Sequence, residues 1–383
     1  MFHFSKRSLR VNDEQEQAIR RPPTAHQRIL ASAGSGKTMT LTARIAYLIE
    51  TCKVPAESIV LMTFSRNAAQ QMKKRIEGLI GERQIWAGTF HGLSRALLKK
   101  FAPEKLKTLY FVDELVSMGE EWLATQKGRE WVGKLQYIVV DEFQDINEPQ
   151  WRMLQRMLHP GARLIIVGDD CQNIYTWRGS HVKYILELHK HIRGLVDDQL
   201  RRNYRSRESI IRVANTVMKR IPTLEWKGTM IPEKMGGEKP HVHFFYRLAD
   251  ETHWIIKTIQ EYLTVNPKVS IAVLSRTNGD LYRIEEEMVL NGIRCRLRDI
   301  GVDETRGGGV ATIDLVTLHA SKGLEWDIVF MVNCSDDVFP SSKKPENVIC
   351  ERRLFYVGVT RPREILHCSY TRDERSLCRF VRE

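Results

Sequence analysis

The segment Ala31-Ser-Ala-Gly-Ser-Gly-Lys-Thr38 holds the residue types that bind a polyphosphate. Ala33, Gly34, Ser35 and Gly36 can wrap main-chain N–H groups around phosphate oxygens. Lys37 supplies a point charge to the terminal phosphates, and Thr38 a hydroxyl for Mg²⁺. The strict pattern opens on glycine, where this chain has Ala31. A second acidic signal follows at Val139-Val140-Asp141-Glu142. Asp141 suits the Mg²⁺ shell, and Glu142 the orientation or deprotonation of an attacking water. Alone, such a pair at a strand end is more often merely solvated. Beside a phosphate loop it points to hydrolysis of a nucleoside triphosphate such as ATP. Arg205 and Arg361 are candidates to stabilise the charge that develops, although either alone reads more simply as a surface ion pair.

Residues 163–179 place a different chemistry within reach of the first. An apolar run, Leu164–Val167, leads to Gly168, two aspartates and Gln172, which can sense a terminal phosphate. Tyr175 and Trp177 follow at once, two rings on which bases can stack. One segment can thus touch a nucleotide and a nucleic-acid strand.

These residues need a scaffold of strand tips. Short apolar runs at 27–30, 58–64, 137–140 and 164–167 predict strands, and helical spacing at Leu41/Ile45/Leu48 and Met72/Ile76/Leu79 predicts helices between them. That βα alternation means α/β architecture with parallel sheets flanked by helices. The pattern restarts with a helix over 206–218, strands at 241–246, 270–274, 313–318, 327–332 and 364–370, and helices at 250–263, 280–290 and 346–359. Two domains are expected, 1–194 with a small insertion over about 94–135, and 195–383. Residues 301–309, ending Arg306-Gly-Gly-Gly309, read as a short flexible connection.

Bulk properties agree. The 383 residues suit two ordinary domains, each with its own core. Fifty-nine Lys and Arg against 47 Asp and Glu give a net charge of +12, which favours polyanionic partners. The seven cysteines are scattered with no Cys-x-x-Cys pair, against a zinc or iron–sulfur site and in favour of a reducing compartment. No apolar run reaches membrane-spanning length, and Met1–Arg10 lacks the apolar centre of a signal peptide. A cytoplasmic or nucleoid-associated location is expected.

In order along the chain stand Asn12-Asp-Glu-Gln15, the loop 31–38, Thr63-Phe64, Gly88-Thr-Phe-His91, Asp141-Glu-Phe-Gln-Asp145 and 163–179. Asn203-Tyr-Arg205, Ser275-Arg-Thr-Asn278, Thr317-Leu-His-Ala-Ser-Lys-Gly-Leu-Glu325 and Glu351 through Arg361 complete the set. This ordered set resembles the UvrD/Rep-type superfamily 1 DNA helicases. The resemblance implies two RecA-like domains with ATP in the cleft between them, and 3′→5′ movement along single-stranded DNA in repair or replication. It implies that Gln15 reads the adenine, Tyr204 stacks on it, and Glu325 lies near the ribose. Gln172, Arg205 and Arg361 would meet the γ-phosphate. Phe64, His91, Tyr175, Trp177, Arg178, Arg276, Asn278, Thr317 and His319 would grip the strand, or a 3′ single-stranded tail. Simpler roles compete: Phe64 as core, and His91 and His319 as structural hydrogen-bonding groups. Trp86, Trp122, Trp131 and Trp254 fit packing, and Lys73-Lys-Arg75 a solvated helix face.

The chain departs from large members of that family. About 45 residues separate His91 from the strand entering Asp141, and nine join Ile300 to Val310, where accessory domains are expected. Proline follows Arg361 where alanine is usual, and should end the preceding helix promptly. A motor core stripped of both insertions is expected to step along a strand, and to unwind duplex weakly or with a protein partner. The alternatives are an ATP-gated DNA-binding or signalling subunit that recruits a nuclease, and action on RNA.

Overall fold

The computed structural model describes residues 1–298, 313–372 and 376–383. They form two compact units: Met1–Arg201 with Leu224–Lys227, and Arg202–Thr223 with Gly228–Glu383. The connection expected at 301–309 lies outside the described residues.

In the first unit a hairpin of β1 (Phe2–His3) and β2 (Ser8–Leu9) precedes six parallel strands. These are β3 (His26–Ala31), β4 (Ile59–Met62), β5 (Trp86–Gly88), β6 (Tyr137–Val140), β7 (Arg163–Gly168) and β8 (Leu195–Leu200). Across the sheet they run β5-β4-β6-β7-β3-β8. The helices are α1 (Asp13–Arg20), α2 (Lys37–Glu50), α3 (Arg66–Ile80), α4 (Phe90–Phe101), α5 (Glu114–Leu123), α6 (Gln126–Val132), α7 (Glu148–Met157) and α8 (Lys183–Leu186).

Successive strand residues face opposite sides of the sheet. Ile29, Val139 and Val167 pack with Leu41, Ile45 and Met72 on one face. Leu30, Val140 and Ile166 pack with Phe90, Trp122 and Leu154 on the other. A sheet covered on both faces needs uninterrupted apolar strands, as in Tyr137–Val140. Caps set the helix starts. Asn12 with Gln15 and Asn147 with Gln150 form capping boxes on α1 and α7, and Ser65 and Thr89 cap α3 and α4. The short insertion, carrying α5 and α6, shares the sheet's core through Leu115, Trp122 and Val132.

The second unit pairs β9 (Arg202–Arg207) with β10 (Ile231–Lys234). Its main sheet holds β11 (His241–Phe245), β12 (Ile271–Ser275), β13 (Cys295–Arg298), β14 (Ile313–Thr317), β15 (Trp326–Met331) and β16 (Pro362–Thr371). All run parallel, in the order β11-β16-β15-β12-β14-β13. Around it lie α9 (Glu208–Met218), α10 (Leu248–Val265), α11 (Asn278–Leu290) and α12 (Pro345–Val359). Ile255, Ile259, Ile284, Val273 and Phe330 form its core. Trp254 packs against that core, and Trp122 is buried in the first unit's.

The division falls after Arg201 rather than near Gly194. β8 pairs with β3 from Leu195 to Leu200, which holds it in the first sheet. Its acidic residues hid it from hydropathy: Asp198 accepts from Arg21 and Gln27, and Asp197 from Arg28. Among the described residues no helix is long and apolar enough to cross a membrane.

Candidate functional site

β3 delivers the chain into the phosphate loop, and α2 starts at Lys37. Gly34 and Gly36 have φ of 66° and 79°, a left-handed backbone that glycine adopts at little cost. A Cβ on Gly36 would lie 2.9 Å from Gln15 Nε2. No side chain caps the 14-residue helix at Gly36. The hydroxyls of Ser32 and Ser35 are buried without a hydrogen-bond partner. A helix N-terminus open to an anion beside two unsatisfied hydroxyls suits a polyphosphate.

The Lys37 ammonium donates to Glu142 Oε1 at 2.5 Å. Burial pulls this ammonium's pKa down, but Glu142, Asp141 and Asp169 outweigh it and hold the value above that of ordinary lysine. Glu142 leaves the tip of β6 at φ 53°, a conformation that costs a non-glycine residue energy and recurs at functional sites. Its backbone N–H donates to Asp141 Oδ1 at 2.9 Å. Its other carboxylate oxygen, Oε2, accepts from Gln144 Nε2 at 2.5 Å.

Gln144 extends this chain of bonds to the neighbouring strand tip. Its Oε1 accepts the backbone N–H of Asp169 at 3.0 Å. Asp169 Oδ2 in turn accepts from Gln172 Nε2 at 2.8 Å. Lys37, Glu142, Gln144, Asp169 and Gln172 are therefore linked end to end, and Asp141 sits at the root of the link. The expected pair of acids and the expected sensor are brought together. Gln144 and Asp169 had no assigned role in the sequence, although both lie inside the quoted motifs.

Three residues beyond Gln172 the aromatic residues begin. Phe64, at the exit of β4, stacks on Tyr175 with ring centroids 5.2 Å apart and planes 8° apart. Tyr175 is buried, whereas Phe64 is 42% and Trp177 61% exposed. The open platforms are thus Phe64 and Trp177, with Tyr175 as the support beneath Phe64; only the tertiary contact distinguishes these roles. Arg178 lies over Trp177, its Cζ 4.5 Å from the ring centroid. His91, in the first turn of α4, is half-buried, and that burial lowers its pKa.

Two family descriptions cover almost the whole chain. The UvrD/REP helicase N-terminal domain matches residues 11–112 and 108–193, and the UvrD-like helicase C-terminal domain matches 199–303 and 301–373. The chain belongs to the UvrD/Rep helicase family. Its two parallel-stranded units are the RecA-like domains of that family. Among its relatives, the ATP-dependent DNA helicase PcrA of Staphylococcus epidermidis is 28% identical over 366 residues, covering 74% of this chain and 50% of that protein. PcrA of Staphylococcus aureus is 27% identical over 359 residues, covering 72% and 49%. The chain spans about half the length of the curated relatives it matches.

In this UvrD/Rep-family chain, Gln15 lies against the phosphate loop. Its Nε2 donates to Ser35 O at 3.0 Å, and its Oε1 accepts from Asn12 N at 3.1 Å. In the second unit, Tyr204 is 39% exposed on β9. Arg205 donates to Glu325 Oε2 at 2.5 Å and to Thr360 O at 3.0 Å. Arg363 takes the other oxygen of Glu325 at 2.8 Å. Burial raises the Glu325 pKa, and the two arginines more than reverse this. The guanidinium of Arg361 is buried, donating to Val357 O, Leu324 O and Thr360 Oγ1 at 2.8, 3.1 and 2.9 Å. α12 ends at Val359, and Pro362 opens β16 directly after Arg361.

The remaining strand-gripping candidates of the second unit lie at the ends of β12 and β14. Arg276 is paired with Glu351 at 2.8 Å and also donates to Ser341 Oγ at 3.1 Å. His319 beside this pair has its pKa lowered to about 4, by burial and then by Arg276. Asn278 is the first residue of α11, and Thr317 Oγ1 accepts from Ala320 N at 3.2 Å.

Proposed function

We propose that this chain couples Mg²⁺-dependent ATP hydrolysis to 3′→5′ movement along single-stranded DNA, and acts as a DNA helicase on substrates with a 3′ single-stranded tail. The observation that carries this is the continuity of one network. Lys37 at the phosphate loop is joined through Glu142, Gln144 and Asp169 to Gln172. Three residues later, Tyr175 supports the exposed ring of Phe64. The nucleotide end and the strand end of the first unit are thus one connected piece.

The residues fit the nucleotide. Ala33, Gly34, Ser35 and Gly36 would cradle its phosphates, and Thr38 and Asp141 are oxygen donors of the kind Mg²⁺ takes. Bound there, the ion would neutralise phosphate charge. Lys37 would exchange Glu142 for a phosphate oxygen, since a dianionic partner attracts the ammonium more strongly. That releases Glu142 Oε1 to accept the proton of the attacking water. Gln144 keeps Oε2 fixed, so the carboxylate stays aimed. The family pattern assigns Arg205 and Arg361 to the developing charge, Gln15 and Tyr204 to the adenine, and Glu325 to the ribose. On the strand side, Phe64 and Trp177 offer stacking faces, and Arg178 a cation, with little sequence preference. His91, Arg276, Asn278, Thr317 and His319 complete the grip on the same family basis.

The short segment at 299–312 leaves no room in sequence for a large accessory domain there. Duplex separation is therefore expected to be weak without a protein partner. The test is ATPase activity with and without single-stranded DNA, beside displacement of streptavidin from end-labelled strands. Strong stimulation, with the block removed from the 5′ end alone, is expected, since a 3′→5′ motor arrives there. ATPase indifferent to DNA would reject the proposal. Stimulated ATPase without displacement would favour a nucleotide-gated clamp, and a preference for matched RNA oligomers would change the track.

A further inference from the structure

Lys227 lies outside every motif that carries the nucleotide chemistry, yet it ends in the same network. Its ammonium donates to Asp169 Oδ1 at 2.9 Å, Asp170 Oδ1 at 2.5 Å and Cys171 Sγ at 3.3 Å. The side chains of both aspartates are fully buried, and that of Lys227 is 1% exposed. Two adjacent buried carboxylates need a cation, and an ammonium so enclosed needs carboxylates. Asp169 Oδ1 accepts from Lys227 and, at 3.2 Å, from Cys171 N, and its Oδ2 accepts from Gln172. With Oδ1 held by the ammonium and by the Cys171 N–H, the plane of the carboxylate is set, and with it the position of the Gln172 amide.

The lysine comes from an unusual place in the chain. Residues Leu224–Lys227 belong to the first unit, although the residues before and after them belong to the second. Leu224 packs against the first unit's core, and Arg28 lies over the Trp226 ring at 5.6 Å, so the segment is seated on the first unit by more than one contact. Three residues on, Met230 is fixed within the second unit. Its N–H donates to Asn215 Oδ1 at 2.9 Å, and its carbonyl accepts from Asn215 Nδ2 at 3.0 Å. Only Gly228 and Thr229 separate the two anchors, and three residue steps extend to about 11 Å at most.

We propose that Lys227 is a positioning residue for Gln172. It holds the Asp169 carboxylate that orients the sensor, and the strap Gly228–Thr229 ties Lys227 itself covalently to Met230. This rests on the ATPase function proposed above. Because the strap is short, any change that moves Asp169 is felt at Met230 after little slack.

The test compares the full chain with Lys227→Arg, Lys227→Met, and a form with Gly-Ser-Gly inserted between Gly228 and Thr229. Fluorescent ATP and ADP analogues measure binding, and DNA-stimulated turnover measures kcat and KM. For Lys227→Met, the preference for ATP over ADP is expected to fall about tenfold. Its kcat should fall at least as far, with KM for ATP within about threefold, and Lys227→Arg should recover part of both. Should Lys227→Met not fold, the double variant Lys227→Met, Asp170→Asn removes one carboxylate with the ammonium, and the same losses are expected. The lengthened strap should keep the ATP preference but lower the number of nucleotides travelled per ATP. A folded Lys227 variant with wild-type ATP preference and kcat overturns the positioning role. A lengthened strap that travels as far per ATP overturns the tether. Wild-type protein without DNA-stimulated turnover would instead reject the proposed function, while the binding comparison still tests Lys227.

Discussion

The side-chain carbonyl of Gln144 accepts the backbone N–H of Asp169 at 3.0 Å, and this bond joins two neighbouring strand tips. β6 ends at Val140 and is followed by Asp141 and Glu142, and β7 ends at Gly168 and is followed by Asp169 and Asp170. Gln144 is fully buried between them and also holds Glu142 Oε2. A displacement at either tip must therefore be felt at the other, because an amide so enclosed cannot exchange partners with water. This gives a physical path from Glu142 to Gln172.

Gly168→Ala tests that path without touching a functional group. An added Cβ would fall 2.4 Å from Gln144 Oε1 and 2.8 Å from Ile185 Cδ1, so the glutamine must move. Destabilisation by about 1–3 kcal/mol is expected for such overpacking. The decisive observation is a kcat for ATP lower than the fraction of folded protein accounts for.

Lys37→Ala should reduce turnover about a hundredfold or more, since it removes both a phosphate charge and the partner of Glu142. Glu142→Gln should lose about 10²–10⁴-fold in kcat. That variant should still bind ATP, because the phosphate loop and Lys37 are untouched. Equilibrium binding beside steady-state ATPase separates the two.

Phe64→Ala and Trp177→Ala should each weaken single-strand binding by about 1–3 kcal/mol. Tyr175→Phe should cost much less, because Tyr175 is buried and acts through its ring face against Phe64. The DNA concentration giving half-maximal ATPase stimulation reports the order. A loss for Tyr175→Phe as large as for Trp177→Ala would contradict it.

Arg361→Lys should destabilise the second unit by roughly 2 kcal/mol or more, because an ammonium cannot serve Val357 O, Leu324 O and Thr360 Oγ1 from one planar fork. Thermal unfolding of the variant, compared with its ATPase, distinguishes structural loss from loss of charge at the phosphate.

His367 predicts the acid sensitivity of the second unit. It accepts or donates at 3.2 Å to His243 Nε2 and at 2.9 Å to the Tyr262 hydroxyl. Burial, then His243 and His241, lower its pKa to about 3. The unfolded chain takes up this proton near pH 6.5, whereas the folded chain does not until near pH 3. Stability from this group is therefore complete above about pH 6.5 and falls as pH drops, by about 1.4 kcal/mol per unit. His367→Gln should flatten the decline in melting temperature between pH 7 and 5. An unchanged slope would contradict the assignment.

Much was legible in the sequence where local pattern and function coincide. The phosphate loop lies at the β3–α2 junction because an apolar strand, glycines and a helix start must be consecutive to make it. β6 matched its expected limits because a strand buried on both faces is an unbroken apolar run. β8 was not recognised, since Asp197 and Asp198 break the hydropathy signal and are satisfied by Arg21, Gln27 and Arg28 elsewhere in the unit. β5 has only three residues, and the two arginines of β13, Cys295-Arg-Leu-Arg298, break its apolar run.

The sequence by itself determined the family, the α/β alternation and the identities of the charged and aromatic groups, because these are carried by residue type and spacing. Tertiary structure decided which groups meet. It seated Tyr175 beneath Phe64, closed Arg361 onto backbone carbonyls, and brought Lys227 to Asp169 across 57 intervening residues. Such contacts depend on where burial removes water from a polar group and leaves one partner within reach, and no spacing along a chain encodes that.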